Sequence, residues 1–368
     1  MKHDLTTNLC LHRQHGEQPG CGPCHLPEPR VRRDARSADE SRLSQAKLRV
    51  CGLSVTAEMQ SGGEAYVLKD VSFGVGSGEV VGVLGESGAG KTTLGLALLH
   101  VLRHGLHQTS GEIWLNDRSM ETLDEEQLRR SRGAEISLLY QDSSALNPCL
   151  RVGHQVAEVI TAHKNWHRSR CRERAAEALA QVGLGEGERL FRSYPHQLSG
   201  GQKQLVCVAL ALACEPSLVV ADEPTASLDP STAANILDLM LKFKQERGTS
   251  FLLISHDPNV LRKASDRLLV MYGGEIVESG RTDDVLATPL HPYTQALLRC
   301  AELFSAEGEV GRRWPSIAGY PPDPTKTMPG CSFAPRCAAR TDRCSSWRSS
   351  LIAIDERQVR CLEYEGEP

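Results

Sequence analysis

The chain has 368 residues, 40% apolar and 24% charged, which suits one large α/β domain with additions, or two domains, in a soluble globular protein. A net charge of −4 gives no basic excess of the kind nucleic-acid binding draws on, so no nucleic-acid partner is expected. The longest apolar run, Leu205 to Cys214, has about half the length of a membrane span, and the N-terminal stretch lacks an apolar signal-peptide core; a cytosolic chain is expected, with any membrane association made through a partner.

Residues 1–46 mix Pro, Gly, His, Arg and Ser without hydrophobic period and read as a disordered leader. Within them "CGPCH" (Cys21 to His25) matches the spacing of a haem-attachment or thioredoxin-type pair. Haem attachment of that kind needs export, and a thioredoxin pair needs a buried strand before it. Neither accompanies the motif, so an unstructured segment is expected.

From Leu48 the texture changes. "LRVCGLSV" alternates as a strand does, and "VLKDVSFGVGSGEVVGVLGESGAGKTT" ends with a buried strand that feeds a glycine loop. That loop, Gly85, Glu86, Ser87, Gly88, Ala89, Gly90, Lys91, Thr92 and Thr93, fits G-x-x-x-x-G-K-[ST]. Its glycines let backbone N–H groups turn towards phosphates at a helix N-terminus whose dipole favours anions. Lys91 supplies a point charge for the β- and γ-phosphates, and Thr92 supplies a hydroxyl for Mg²⁺.

Residues 150–195 carry helical spacing in "HQVAEVITAH" and "RERAAEALAQVGL". "LSGGQ" follows, a second glycine-rich helix start. It cannot serve the phosphate face that the first loop occupies. It can serve the opposite face when another subunit presents it, with Ser199, Gly200, Gly201 and Gln202 closing over the γ-phosphate. Two such chains head to tail would sandwich nucleotide between them.

"LVVADE" is a buried strand with Asp222 at its end for the Mg²⁺ shell and Glu223 next to it to polarise an attacking water. A helix is punctuated by Asp229 as N-cap, Pro230 at its first position and Gly248 beyond its end. The strand "FLLIS" then delivers His256, within reach of a γ-phosphate. Strands alternating with helices predict an α/β fold with a parallel sheet covered on both faces.

Phosphate loop, "LSGGQ", "VVADE", "SLD" and "ISHD", in this order, resemble the ATP-binding subunit of an ABC transporter over residues 48–280. The resemblance implies a P-loop NTPase cassette at 47–280 with a helical subdomain at about 143–210 that docks on a membrane subunit. It implies that Tyr66 stacks on adenine, that Gln141 touches Mg²⁺ and water while sensing the membrane partner, and that Asp229 lies in a loop crossing the dimer interface. The chain departs from the family at Leu205 and Leu210, where arginine is common.

"SSALNP", "LATPLHPYTQALL" and "PGCSFAPRC" are similar to oligopeptide and dipeptide importer ATPases, which implies a small C-terminal extension at 281–368. Cys331, Cys337, Cys344 and Cys361 fall there with C-x5-C-x6-C-x16-C spacing, which suits zinc poorly. Four thiolates can hold an iron–sulfur cluster. The family likeness favours [4Fe–4S], with zinc or free thiols open. Residues 311–350 carry seven Lys/Arg against two Asp/Glu, a charge that offsets a thiolate cluster. The expected partners are two transmembrane permease subunits, a second cassette (a paralogue or a second copy) and an extracellular solute-binding protein. The expected place is the cytoplasmic face of the membrane. Nickel or small-solute import by the same class, and a soluble ABC ATPase outside transport, are the alternatives.

Overall fold

Period-two burial decides the architecture. In the computed structural model the described residues are 46–365 without 60–61, 141–144, 186–187, 227, 306–315, 327 and 348–349. The elements in chain order are β1 (Leu48–Glu58), β2 (Glu64–Val75), β3 (Val80–Leu84), α1 (Lys91–Leu98), β4 (Leu106–Leu115), β5 (Arg118–Ser119), α2 (Glu125–Ser131), β6 (Ile136–Leu139), α3 (Val152–His163), α4 (Arg168–Gln181), α5 (Glu188–Phe191), α6 (Gly200–Leu212), β7 (Leu218–Asp222), α7 (Pro230–Arg247), β8 (Ser250–Ser255), α8 (Pro258–Ala264), β9 (Arg267–Tyr272), β10 (Glu275–Arg281), α9 (Thr282–Ala287), α10 (Pro292–Ser305), β11 (Ile352–Ile354) and β12 (Arg357–Val359).

Eight strands form the main sheet in the order β11-β12-β10-β9-β3-β8-β7-β6, of which β9, β3, β8, β7 and β6 run parallel. Its two faces enter two cores. Val81, Val83, Val220, Leu252 and Ile254 point into one, with Leu94, Ala97 and Leu98 of α1 and the inner face of the antiparallel β2-β1-β4-β5 sheet. Their neighbours Val80, Leu84, Val219, Phe251 and Leu253 point into the other, with α6, α7 and the helices at 152–191. Apolar side chains on both faces are what a covered parallel sheet requires. The strands end together, so residues 85, 223 and 256 emerge at one edge, as sites in open α/β sheets do.

The C-terminal segment adds to this sheet. β12 pairs antiparallel with β10 and β11 with β12, a pairing the sequence pattern did not announce. An aromatic cluster fastens the same region: Tyr272 lies 4.5 Å from Tyr293 and 5.2 Å from Phe333 between ring centroids, and all three are buried. Leu205 is buried in the core and Leu210 packs against it, so the residues standing where arginine is common contribute apolar packing.

A bulge in β1 sets opposite Gly111 of β4 two residues, Gly52 and Leu53. Gly111 has φ of +93°, and a Cβ there would stand 2.5 Å from the Leu53 backbone. Gly111→Ala should therefore lower stability by about 3 kcal/mol, since the obstruction is backbone and the conformation excludes a side chain. Denaturant unfolding of the purified chain checks this.

Candidate active site

The phosphate loop is built from what surrounds it. β3 ends in Leu84, and Gly85 then passes so close to the carbonyl of Met271 that a Cβ would stand 2.4 Å from that oxygen. Gly90 takes φ of +99° as N-cap of α1 and abuts the carbonyl of Val67. A glycine N-cap brings no side chain to the first amides of α1, which are left for an anion. Lys91 is 8% exposed and donates from Nζ to the carbonyls of Gly85 (2.8 Å) and Glu86 (3.0 Å). Burial lowers its pKa, opposed by the charges of Glu223, Asp222 and Glu86. Ser87, Gly88, Gly90, Lys91, Thr92 and Thr93 line a cavity of about 530 Å³, whose other wall is Val67, Asp222, Glu223 and His256.

Asp222 ends β7 inside this cavity. Its Oδ1 is buried without a hydrogen-bond partner. Burial raises its pKa above the ordinary aspartate value, against the opposing pull of the Thr92 hydroxyl and of Lys91. An orphaned carboxylate oxygen beside a threonine hydroxyl is what a bound divalent cation satisfies, so these residues fit Mg²⁺. Glu223 follows with φ of +49°, a left-handed backbone rare for a residue with a side chain, which turns its carboxylate across the strand end. There its Oε1 lies 2.7 Å from His256 Nδ1, and its Oε2 accepts from the Ser255 hydroxyl at 3.5 Å. His256, 67% exposed, thus holds the Glu223 carboxylate.

Ser199 to Gln202 stand outside that cavity lining. Ser199 caps α6: its hydroxyl accepts from Gln202 N–H (3.2 Å), and the Gln202 side chain accepts from Ser199 N–H (3.0 Å). Gly200 is exposed, while a Cβ on Gly201 would press on Thr232 at 3.0 Å. Asp229 caps α7, accepting from the N–H of Ser231 and of Thr232, and these bonds, with those from the two hydroxyls, hold its carboxyl well below the usual range. Tyr66 on β2 is 39% exposed, with its N–H bound to the carbonyl of Pro324 at 3.0 Å. Gln141 lies outside the described residues, as does the "CGPCH" segment. Its neighbour Tyr140 is tied to α6 by Gln204, whose buried amide donates to the carbonyls of Tyr140 (3.3 Å) and Pro224 (3.1 Å). The motif reading passed over Gln204, although a glutamine inside an apolar helical run was a signal that it bonds backbone.

The four C-terminal cysteines line one cavity of about 400 Å³, with Arg343 and Arg360 on its wall. Burial raises the thiol pKa of Cys331 and Cys337 and pushes that of Cys361 up to about 11. Among the described residues no group of three or more Cys, His, Asp or Glu side chains is arranged as a metal-binding set.

A P-loop on a parallel sheet, an acid pair at the end of β7 and a capped glycine signature helix define an ATP-binding cassette ATPase, with ATP and Mg²⁺ as its ligands. The chain matches the ABC transporter family over residues 68–226 and the oligopeptide/dipeptide transporter C-terminal region over 277–344. It is 40% identical over 300 residues to the oligopeptide transport ATP-binding protein AppD of Bacillus subtilis (strain 168), covering 81% of this chain and 90% of that one. It is 38% identical over 303 residues to the dipeptide transport ATP-binding protein DppD of Escherichia coli (strain K12), covering 81% and 92%. Its structure is similar to a dimeric post-hydrolysis state of the ATP-binding cassette MJ0796 bound to ADP and Pi, with a TM-score of 0.58 and 30% identity over 64% of this chain and 98% of that one. The chain belongs to the family of ABC transporter ATP-binding proteins that carry the oligopeptide/dipeptide C-terminal region.

Asp222→Asn should stabilise the nucleotide-free protein while removing activity. With the folded pKa raised, the ionised form opposes folding, so the gain is absent below the ordinary aspartate value and grows as pH rises through the folded pKa. Thermal melts across pH read the gain, while Mg²⁺-dependent hydrolysis falls at least about a hundredfold.

Proposed function

We propose that the chain is the ATP-hydrolysing subunit of an importer for oligopeptides or dipeptides, working as one of a pair of cassettes beneath two membrane-spanning permease subunits. The observation that carries this is the joining, in one chain, of a complete phosphate-loop site to the C-terminal region named for oligopeptide and dipeptide transporters. Among the described residues no helix is long and apolar enough to cross a membrane. In this reading attachment is peripheral, at the cytoplasmic face, through the helical subdomain at about 143–210. An extracellular solute-binding protein would deliver the peptide.

In this reading Tyr66 stacks on the adenine, and the loop amides with Lys91 take the phosphates. Asp222 and Thr92, with Gln141, would hold Mg²⁺, which when bound neutralises charge across the β- and γ-phosphate oxygens. Glu223 polarises the water in line with the γ-phosphate. His256 keeps its carboxylate aimed and stands within reach of the γ-phosphate. Ser199, Gly200, Gly201 and Gln202 of a second cassette close the site, with Asp229 of each chain at the shared boundary. Support for the split comes from the exposed, preformed start of α6 outside the phosphate cavity. Glu223→Gln should keep ATP affinity but lower turnover at least about a hundredfold and accumulate an ATP-bound dimer. Hydrolysis within a few-fold of wild type contradicts the assignment, whereas a monomer by size-exclusion chromatography with ATP points to a paralogue as the second cassette.

The C-terminal cysteines are assigned to a structural [4Fe–4S] cluster. What supports it is that the four cysteines line one cavity and that burial raises the thiol pKa of Cys331, Cys337 and Cys361, so a cationic centre would favour their thiolates. Anaerobically purified protein should be brown and contain about four irons and four sulfides per chain. Cys331→Ser, Cys337→Ser, Cys344→Ser or Cys361→Ser should each lower that content, and Cys21→Ser should not. Stoichiometric zinc without iron, or neither metal, overturns the cluster.

A further inference from the structure

The C-terminal segment reaches the phosphate loop through Arg336, 250 residues away in sequence from the group it holds. The Arg336 side chain is 4% exposed. Nη1 donates to Glu86 Oε2 at 2.7 Å and Nη2 to Glu86 Oε1 at 3.1 Å, a two-pronged carboxylate grip. The remaining donors are also placed: Nε on the carbonyl of Ala318 (3.0 Å), Nη2 on that of Ile317 (3.2 Å) and Nη1 on the Tyr272 hydroxyl (3.4 Å). A guanidinium with every N–H directed is a rigid fixture.

Glu86 is held on all its polar groups. Its N–H donates to the Tyr293 hydroxyl at 2.8 Å, its carbonyl accepts from Lys91, and its carboxylate takes Arg336. Yet Glu86 sits in a loop that must receive a polyanion, where Lys91 already has the carboxylates of Asp222 and Glu223 beside it. A bare third carboxylate would repel the phosphates. We propose that Arg336 is a positioning residue for ATP binding: it cancels the Glu86 charge and fixes the Gly85–Glu86 segment in the shape that accepts phosphate. The proposal rests on the ATPase reading. Arg336 is itself set by a short turn, Ala334–Arg336, whose first N–H is bonded to the carbonyl of Cys331 and after which Cys337 follows. The nucleotide loop and the cysteine cavity thus share one turn.

The test is a charge cycle on the full-length chain: wild type, Arg336→Met, Glu86→Gln and the double variant, titrated with a fluorescent ATP analogue and Mg²⁺, with thermal melts alongside and Lys91→Ala as the control that loses affinity. Arg336→Met should weaken binding about tenfold, more at low salt than at high. The double variant, with no carboxylate left uncompensated, should return to within about threefold of wild type. In steady-state hydrolysis the Arg336→Met defect should appear in KM and leave kcat nearly unchanged. A merely structural role for Arg336 would show no rescue by Glu86→Gln. Unchanged affinity in Arg336→Met, or a double variant no better than the single, overturns the proposal. Should Arg336→Met fail to fold, the double variant alone decides, and binding more than about threefold weaker than wild type overturns it. A wild-type chain that binds no ATP at all sinks the ATPase reading together with this one, whereas ATP-binding wild type with no Arg336 effect sinks this one alone.

Discussion

The buried ammonium of Lys91 is the constraint around which this molecule is arranged. A lysine this enclosed loses hydration, and its pKa falls unless acceptors and anions surround it. The loop's own carbonyls at Gly85 and Glu86 supply the acceptors, and they can do so only because the loop curls over the start of α1. That curl needs Gly85 against the Met271 carbonyl and Gly90 against the Val67 carbonyl. The cation then requires carboxylates, and the strand order provides them: β7 and β8 are adjacent, β8 adjoins β3, and their ends bring Asp222, Glu223 and His256 to the loop. In the proposed reading, phosphate oxygens would take over from these loop carbonyls at the same ammonium.

How much of this is visible in the sequence depends on the distance over which each part is determined. The phosphate loop, "LVVADE" and "FLLIS" are local patterns, because a buried parallel strand is apolar on both faces and its C-terminal residue is where polarity returns. Helix punctuation is local too: Asp229, Pro230 and Gly248 bound α7 by capping chemistry within a turn of each end. These parts were legible because the physics that fixes them acts within a few residues.

The rest was not, for the converse reason. Arg336 reads in the sequence as one basic residue among seven in a cysteine-bearing segment, and only folding sets it on Glu86. Tyr293 stood in a recognised motif, but its hydroxyl's place on the Glu86 N–H is tertiary. His256 was expected near the γ-phosphate, and its bond to Glu223 follows from the positive φ of Glu223, which no pattern of residue types encodes. The addition of β12 and β11 to the sheet was hidden because strands of three residues carry too little alternation to register.

The signature helix shows why a split site is compatible with a stable single chain. Its glycines would leave a helix start poorly defined, since glycine is a weak helix former. The capping box between Ser199 and Gln202 compensates and fixes the start of α6 within the single chain. Gly200 then faces solvent with its N–H free of any side chain, while Gly201 lets α6 lie against Thr232, beside the cap formed by Asp229. The two helix starts at 199 and 229 therefore lie side by side within one chain. In the proposed pairing, a partner that meets the first would also meet the second, on surfaces whose local hydrogen bonds are already made in the single chain.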